Sequence, residues 1–358
     1  MNIHQVAKRA KVSIATVSRT LNNVRSVNPA IADRIWRAVD ELGYHPNTQA
    51  RALVSGRSRI LGLIVSDITN PFFPEVIRGF EEVAVPAGFE VLLSSTNHQF
   101  PQMADAVRRM LERKAEGIAI MTSEFDNSLI EELSSRKIPL VFVDVGPHKP
   151  HISNIKVNYL QGIQEAVRHL LRLGHHRIAF VSGPQQLKSA RIRREVFLRC
   201  LEENGIDISS DLTIAGEHNV ESGFRAVPKL LSLKQPPTAI LTSNDLTAVG
   251  LLCGLDREGL RAPADMSIIG FDDIHLAQFT LPPLTTIRLS RPELARVAFQ
   301  ALMADMEGSA ASTHGATYSI ETSLIVRNST APPRKQEGPK EMRKRPAGAR
   351  SKDRRFRA

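Results

Sequence analysis

Along the first forty residues, apolar positions recur at spacings of three and four. Val6, Ala10, Val17, Leu21, Ile31, Ile35 and Leu42 fall where they can share one small core. The pattern predicts three short helices, over 3–10, 14–22 and 29–42, with Ser13 as the natural N-cap of the second, Pro29 opening the third and Gly43 closing it. Alanines at 7 and 10 permit the first two helices to cross tightly. The segment NTQARALVSG, 47–56, is weakly helical. It is shorter than the ~12–15 residues at which an isolated helix becomes even marginal, so it needs something packed against it.

From Ile60 the period changes. Short apolar runs at 60–66, 90–95, 117–121, 139–144, 177–183, 238–243 and 267–271 alternate with amphipathic stretches at 71–84, 102–113, 162–173, 189–204, 221–231 and 246–258. Such alternation predicts parallel sheets covered by helices on both faces. The units exceed what one sheet comfortably takes, so two similar lobes with a cleft between them are expected. From Ala331 the chain is rich in Pro, Gly and basic residues, and is read as a disordered tail that is either merely solvated or a nonspecific contact for nucleic acid.

The charge distribution sharpens this picture. The 358-residue chain carries +10, but residues 1–59 hold +7 and residues 331–358 hold +8, which leaves the 271-residue body between them at −5. Basic ends on an acidic body point to a polyanion met by the ends and a different partner for the body. Cys200 and Cys253, both in apolar sequence contexts, give no basis for a disulfide framework or a thiolate metal site. No metal and no cofactor are expected. No apolar run approaches the ~18 residues that cross a bilayer, and MNIHQVAKRAK lacks a signal-peptide core, so the expected location is the cytoplasm, nucleoid-associated when on DNA.

The stretch VSIATVSRTLNN, 12–23, places Val17 and Leu21 on one side of its helix and Ala15, Ser18, Arg19 and Asn22 on the other. That outer face is small and hydrogen-bonding, and Arg19 supplies a forked donor suited to phosphate or guanine. With IHQVAKRAKVSIATVSRTLNN, VNPAIADRIWRAVDELGYHPN, RALVSGRSRILGLIV, SNDLTAVG, IIGFDD and PPLTTI in order, residues 2 to about 330 resemble the lactose-repressor/galactose-repressor family of bacterial transcription regulators.

The resemblance implies an α/β fold with an all-α helix-turn-helix headpiece and a two-lobed body like the periplasmic sugar-binding proteins. Its divisions would be a headpiece at 1–46, a hinge helix at 47–58 and a body at 59–330, with one lobe at about 59–157 and 287–316 and the other at about 158–286 and 317–330. It also implies a homodimer on a palindromic operator in double-stranded DNA. Ile14 and Ala15 would read bases, and Ser13, Thr16, Ser18, Arg19 and Asn22 would bond phosphates and base edges, with Ser13 and Thr16 also capping the helix. Asn47, Ala50 and Arg51 would flank Leu53, which would wedge into the minor groove.

In the body, Asn70, Phe72, Phe73, Asp144, Arg193, Asn244 and Asp272 match effector-contacting positions, and His218 stands where the family often carries an aromatic ring. Carboxylates, an amide and a guanidinium around vicinal hydroxyls, with rings for a pyranose face, describe a carbohydrate effector. The alternatives are a nucleobase or nucleoside effector and a sugar receptor that does not bind DNA. Leu289 and Val196 replace commonly smaller or more polar family residues, and should make one wall drier or narrower. Asp245 and Asp273 are expected to cap helices or brace loops. An enzyme would need a nucleophile, phosphate loop or metal constellation, and no GxSxG, GxxxxGK[ST], HExxH or GxGxxG occurs.

Overall fold

The computed structural model describes residues 2–21, 27–44, 57–122, 127–144, 146–147, 149–206, 209–307 and 315–334. Three helices begin the chain: α1 (Ile3–Ala10), α2 (Ile14–Leu21) and α3 (Pro29–Leu42). Asn2 and Gln5 close a capping box on α1, Ser13 Oγ accepts from the Thr16 N–H (3.1 Å) at the start of α2, and Asn28 and Pro29 open α3. Val6, Ala7, Ala10, Val17, Leu21, Ile35, Ala38 and Val39 form the common core, with Ile31 and Leu42 half-buried at its rim. The 47–56 segment, the hinge expected there, and residues 335–358 of the tail lie outside the described residues.

The body starts with β1 (Ile60–Val65), α4 (Phe72–Ala84), β2 (Glu90–Ser95), α5 (Phe100–Glu112), β3 (Gly117–Met121), α6 (Asn127–Ser135), β4 (Leu140–Val143) and β5 (Ile152–Asn158). It continues with α7 (Tyr159–Arg172), β6 (Ile178–Val181), α8 (Lys188–Glu203), β7 (Thr213–Ile214), α9 (Val220–Leu231), β8 (Ala239–Thr242), α10 (Asp245–Arg257), β9 (Ser267–Asp272), β10 (Thr285–Leu289), α11 (Arg291–Met306) and β11 (Thr317–Ile325). Hydrogen-bonded neighbours run β2-β1-β3-β4-β5-β11-β10-β9-β8-β6-β7. Among the described residues, no helix is long and apolar enough to cross a membrane.

Strand β11 belongs to both lobes. Thr317–Glu321 pair in parallel with β5, whereas Thr322–Ile325 pair antiparallel with β10. Strand β10 pairs along its length with β9 of the second lobe, and α11 packs back on α4 of the first. The chain therefore changes lobes near Asn158, at Ser290 and near Thr322. This moves two of the sequence boundaries: position 287 lies inside β10, and the first half of β11 belongs with the lobe that precedes it. Both adjustments follow from ladder hydrogen bonds, which a sequence pattern does not display.

Candidate functional site

Helix α2 buries Val17, Thr20 and Leu21 and turns Ile14, Ala15 and Arg19 outward. Thr20 joins the buried face because its hydroxyl donates to the Thr16 carbonyl (3.0 Å). Ser13 caps the helix and shares a 2.8 Å hydroxyl bond with Thr16, which fills the helix start. Ile14 is 41% exposed, an apolar side chain at the helix start. Its apolar surface is free to meet a thymine methyl. Asn22, Asn47, Ala50, Arg51 and Leu53 lie outside the described residues.

Between the lobes, at the carboxyl ends of their strands, lies a cavity of about 290 Å³. Asn70, Phe72, Phe73, Asp144, Arg193, His218, Asn244 and Asp272 all line it. Its centre is Arg193, on the first turns of α8 and only 7% exposed. Its Nη2 lies 3.4 Å from Asp272 Oδ1, its Nη1 donates to the Ser243 carbonyl, and its guanidinium carbon stands 4.0 Å from the Phe271 ring centroid and 5.2 Å from that of Tyr159. Two aromatic faces and a carboxylate fix the guanidinium plane. Its Nε is buried with no hydrogen-bond partner.

Several lining residues are already engaged. Asp144 Oδ1 accepts from the Val157 N–H (2.9 Å) and Oδ2 from the Tyr159 hydroxyl (2.6 Å), while Lys188 reaches across from the other lobe to its carbonyl (2.8 Å). Asn244 caps α10 through the Thr247 N–H (3.0 Å) and hydroxyl (2.7 Å), and its Nδ2 donates to the His218 carbonyl (2.8 Å). Asn70 Oδ1 accepts from the Phe72 N–H (3.1 Å). These three are partly committed within the protein, and Arg193, Asp272 and His218 line the same cavity. His218 Nε2 shares a 2.7 Å hydrogen bond with Ser243 Oγ, and the ring lies flat against Gly183, where any Cβ would collide with it.

Burial, aided by the charge of Arg193, pulls the His218 imidazole down to about 3, so the ring is neutral across the physiological range. Burial pushes the Asp272 carboxyl up to about 6 against the opposing pull of Arg193 and Arg291. Burial likewise raises Asp144, partly offset by Tyr159, and raises Asp245 well above the usual carboxylate range, with Asp272 adding to the effect. Asp245 is not the cap of α10: it braces the next loop by accepting from the Thr286 hydroxyl (2.5 Å) and the Ile274 N–H (2.8 Å). Asp273 is held by Arg288 (2.7 Å) and Arg327 (2.6 Å). Asp272 and Asp273 have φ values of 112° and 56°, positions that hold ~1–3 kcal/mol of backbone strain each and persist only where surroundings over-determine them.

Leu289 lines the cleft and dries its wall, as expected. Val196 does not: it packs half-buried on the hydrophobic core, because three residues beyond Arg193 the helix has turned away from the cavity. Cys253, in an apolar sequence context, is exposed on α10. The sequence reading missed Tyr159, Lys188, Asp67 and Glu217. Tyr159 directly follows β5, an unassigned strand, and the pair ISNIKVN-Y would have placed it at a strand end. Lys188 and Glu217 carry no comparable signal.

Comparison with known proteins identifies the family and the fold. A family model described as "Bacterial regulatory proteins, lacI family" matches residues 2–47, and one described as "Periplasmic binding protein-like domain" matches 167–330. The HTH-type transcriptional repressor PurR of Photobacterium profundum is 35% identical over 302 residues, covering 84% of this chain and 90% of the relative. The HTH-type transcriptional repressor CytR of Escherichia coli (strain K12) is 35% identical over 327 residues, covering 91% and 95%. The lac repressor dimer bound to operator and the anti-inducer ONPF superposes with a TM-score of 0.81 at 28% identity, over 92% of this chain and 99% of that one. The transcriptional regulator CelR–cellobiose complex gives 0.68 at 25% over the same shares. These relatives are DNA-binding regulators and not enzymes, and a helix-turn-helix headpiece ahead of a two-lobed ligand-binding body is their common plan. The chain belongs to the LacI family: it is a DNA-binding transcriptional repressor whose two-lobed body binds a small-molecule effector.

Proposed function

We propose that the effector is an uncharged, sugar-bearing solute held between the lobes, and that it switches operator binding by changing their relative placement. The observation that carries this is Arg193, a buried guanidinium that lines the cavity, paired with Asp272 and framed by two aromatic rings. A hydrogen bond to a charged group is worth ~1.5–3 kcal/mol, so a ligand oxygen that meets this guanidinium in a desolvated cleft gains more than it would in water. Asp272 beside it accepts from a hydroxyl, and neutral His218 adds a hydrogen-bonding ring. Acidic lining groups (Asp67, Asp144, Glu217, Asp272) outnumber arginine, which disfavours phosphorylated or carboxylated solutes. Phe72 and Phe73, edge to face at 5.3 Å, and Leu187, Leu246, Leu289 and Leu294 supply apolar lining from both lobes.

That apolar lining supports a second reading, in which the sugar carries an apolar ring as in a nucleoside. Thermal-shift and calorimetric titration with ribose, glucose, cellobiose, adenosine, cytidine, adenine and AMP separates the two. Stabilisation by free sugars supports the first; stabilisation by nucleosides but not ribose supports the second. A response confined to AMP overturns both.

Asp272 gives the binding a pH signature. Its ionised form accepts ligand hydroxyls, so affinity is expected to fall about tenfold per unit as pH drops below about 6, and Asp272→Asn to flatten the profile. His218, at about 3, contributes nothing in this window. Stability runs the other way: an acid whose folded value is raised binds its proton more tightly in the native state, so between 3.8 and about 6 the body gains stability as pH falls. Calorimetry from pH 5 to 8 checks both signs.

On the DNA side, Ile14, Ala15, Ser18 and Arg19 are assigned to base and phosphate contacts, with Ser13 and Thr16 at the helix start. Asn22, Asn47, Ala50, Arg51 and the minor-groove wedge Leu53 are assigned by resemblance. Leu53→Ala is expected to leave the melting temperature unchanged while weakening a selected operator at least tenfold more than a random duplex at matched salt. Equal losses on both duplexes would show that Leu53 is no wedge.

A further inference from the structure

The turn after β9 is gripped from both lobes. Within its own lobe, Asp273 is held by Arg288 and Arg327, and the Ile274 N–H by Asp245. The other grip comes from the first lobe. Glu75, in the first turn of α4, accepts from the His275 N–H through Oε1 (2.9 Å) and from Arg291 Nε through Oε2 (2.9 Å). Arg291, the first residue of α11 and next to the lobe change at Ser290, donates from Nη1 to the Asp272 carbonyl and to that of Leu289 (3.4 Å). Its side chain is only 12% exposed. Lys188, which also crosses between lobes, is by contrast exposed.

We propose that Glu75 and Arg291 form an interlobe latch that positions Asp272 for the effector and holds the lobes in the operator-binding arrangement. The latch holds the carbonyl of the residue whose carboxylate meets Arg193 in the cavity, so ligand and lobe contact act on one backbone segment. That segment sits at φ 112° and 56°, a sparsely populated geometry that persists only where surrounding contacts hold it. A solute that draws Asp272 or Arg193 toward itself competes with the latch through a single residue, which is a physical route for coupling between cleft and hinge. This structure, with the latch made, superposes on the operator-bound lac repressor dimer with a TM-score of 0.81.

The coupling to effector rests on the cleft reading above, but the latch itself is tested without any effector. The full-length protein selects a duplex from a random library, and fluorescence anisotropy then compares variants on that duplex and on a random one at matched salt. Glu75→Ala and Arg291→Ala are each expected to weaken the selected duplex at least tenfold and the random duplex less than twofold. The double variant should be no weaker than the poorer single. Glu75→Gln keeps a carbonyl oxygen for the His275 N–H but turns an amide N–H toward Arg291 Nε, so its affinity should fall between that of the wild type and that of Glu75→Ala. Hydrogen exchange at the His275 amide should quicken in Glu75→Ala and not in Glu75→Gln. If an alanine variant fails to fold, Arg291→Lys, which lacks the fork, is expected to lose affinity. Unchanged or raised affinity, additive losses, or equal losses on both duplexes overturn the latch. Failure of the wild type to respond to any solute would instead count against the cleft reading.

Discussion

Arg193→Leu is expected to abolish the response to effector and to destabilise the body by about 3 kcal/mol at pH 7.5, the lower end of the ~3–5 kcal/mol found when one member of a buried ion pair is removed. The side chains of Arg193 and Asp272 are 9% and 6% exposed, so neither is rescued by solvent. Without the guanidinium, Asp272 keeps its burial and loses the largest influence opposing it, and Asp245 is close enough for the two carboxylates to repel. Its proton affinity then rises further, and protonation limits the loss. The destabilisation should therefore shrink on acidification to pH 5, which differential scanning calorimetry resolves. Replacing both partners tests the same logic from the other side. Arg193→Leu with Asp272→Leu removes the stranded charge and is expected to recover most of the stability, with no recovery of binding. For the effector, each lost charge-assisted hydrogen bond is worth ~1.5–3 kcal/mol, so binding should weaken by about 10- to 150-fold per bond lost. A double variant no more stable than Arg193→Leu would show that the pair is not what holds this wall.

Much of the fold was legible in the sequence, and the residues show why. The headpiece announces itself because Val6, Val17, Leu21 and Ile35 obey one helical period and Ser13, Pro29 and Gly43 mark its boundaries. Strands buried on both faces, such as β3 and β8, read as short apolar runs. Strand β5, ISNIKVN, does not, since it places Ser153 and Asn154 in buried positions where they bond Asp305 and Pro147. Strand β11 alternates Tyr, Ser, Glu and Thr because it passes between lobes with one edge paired to each in turn. In the site, the residue types could be named but not their engagement. Asn244 and Asp144 have the chemistry of ligand contacts, and only their distances show that their polar atoms are committed to Thr247, His218, Val157 and Tyr159. Glu75 and Arg291 stand 216 positions apart, and no local pattern joins them.

Gly250→Ala is expected to lower the stability of the body by about 2 kcal/mol or more, with a melting temperature roughly 4–8 °C lower, and to weaken effector binding as well. Helices α9 and α10 cross with almost no side chain between them. A Cβ on Gly250 would meet the Val220 carbonyl oxygen at 1.9 Å and the Phe224 nitrogen at 2.9 Å, and one on Gly223 would meet the Thr247 carbonyl oxygen at 2.0 Å. Both obstacles are backbone, so no rotamer change relieves them. Alanine inside a helix gains ~1 kcal/mol of propensity over glycine, which offsets only part of an overpacking penalty at or above ~3 kcal/mol, the upper end of its range. The helices must move apart, and the movement reaches the cavity. Helix α9 begins at its cap Asn219 beside His218, and α10 begins at Asn244, whose amide holds the His218 carbonyl. Gly259→Ala is the control: with φ at +75° and open space around it, it should cost only the ~1 kcal/mol of a left-handed backbone and leave binding intact. Equal melting temperatures for the two variants would mean that α9 and α10 can slide without cost and that their crossing does not set the wall of the cleft.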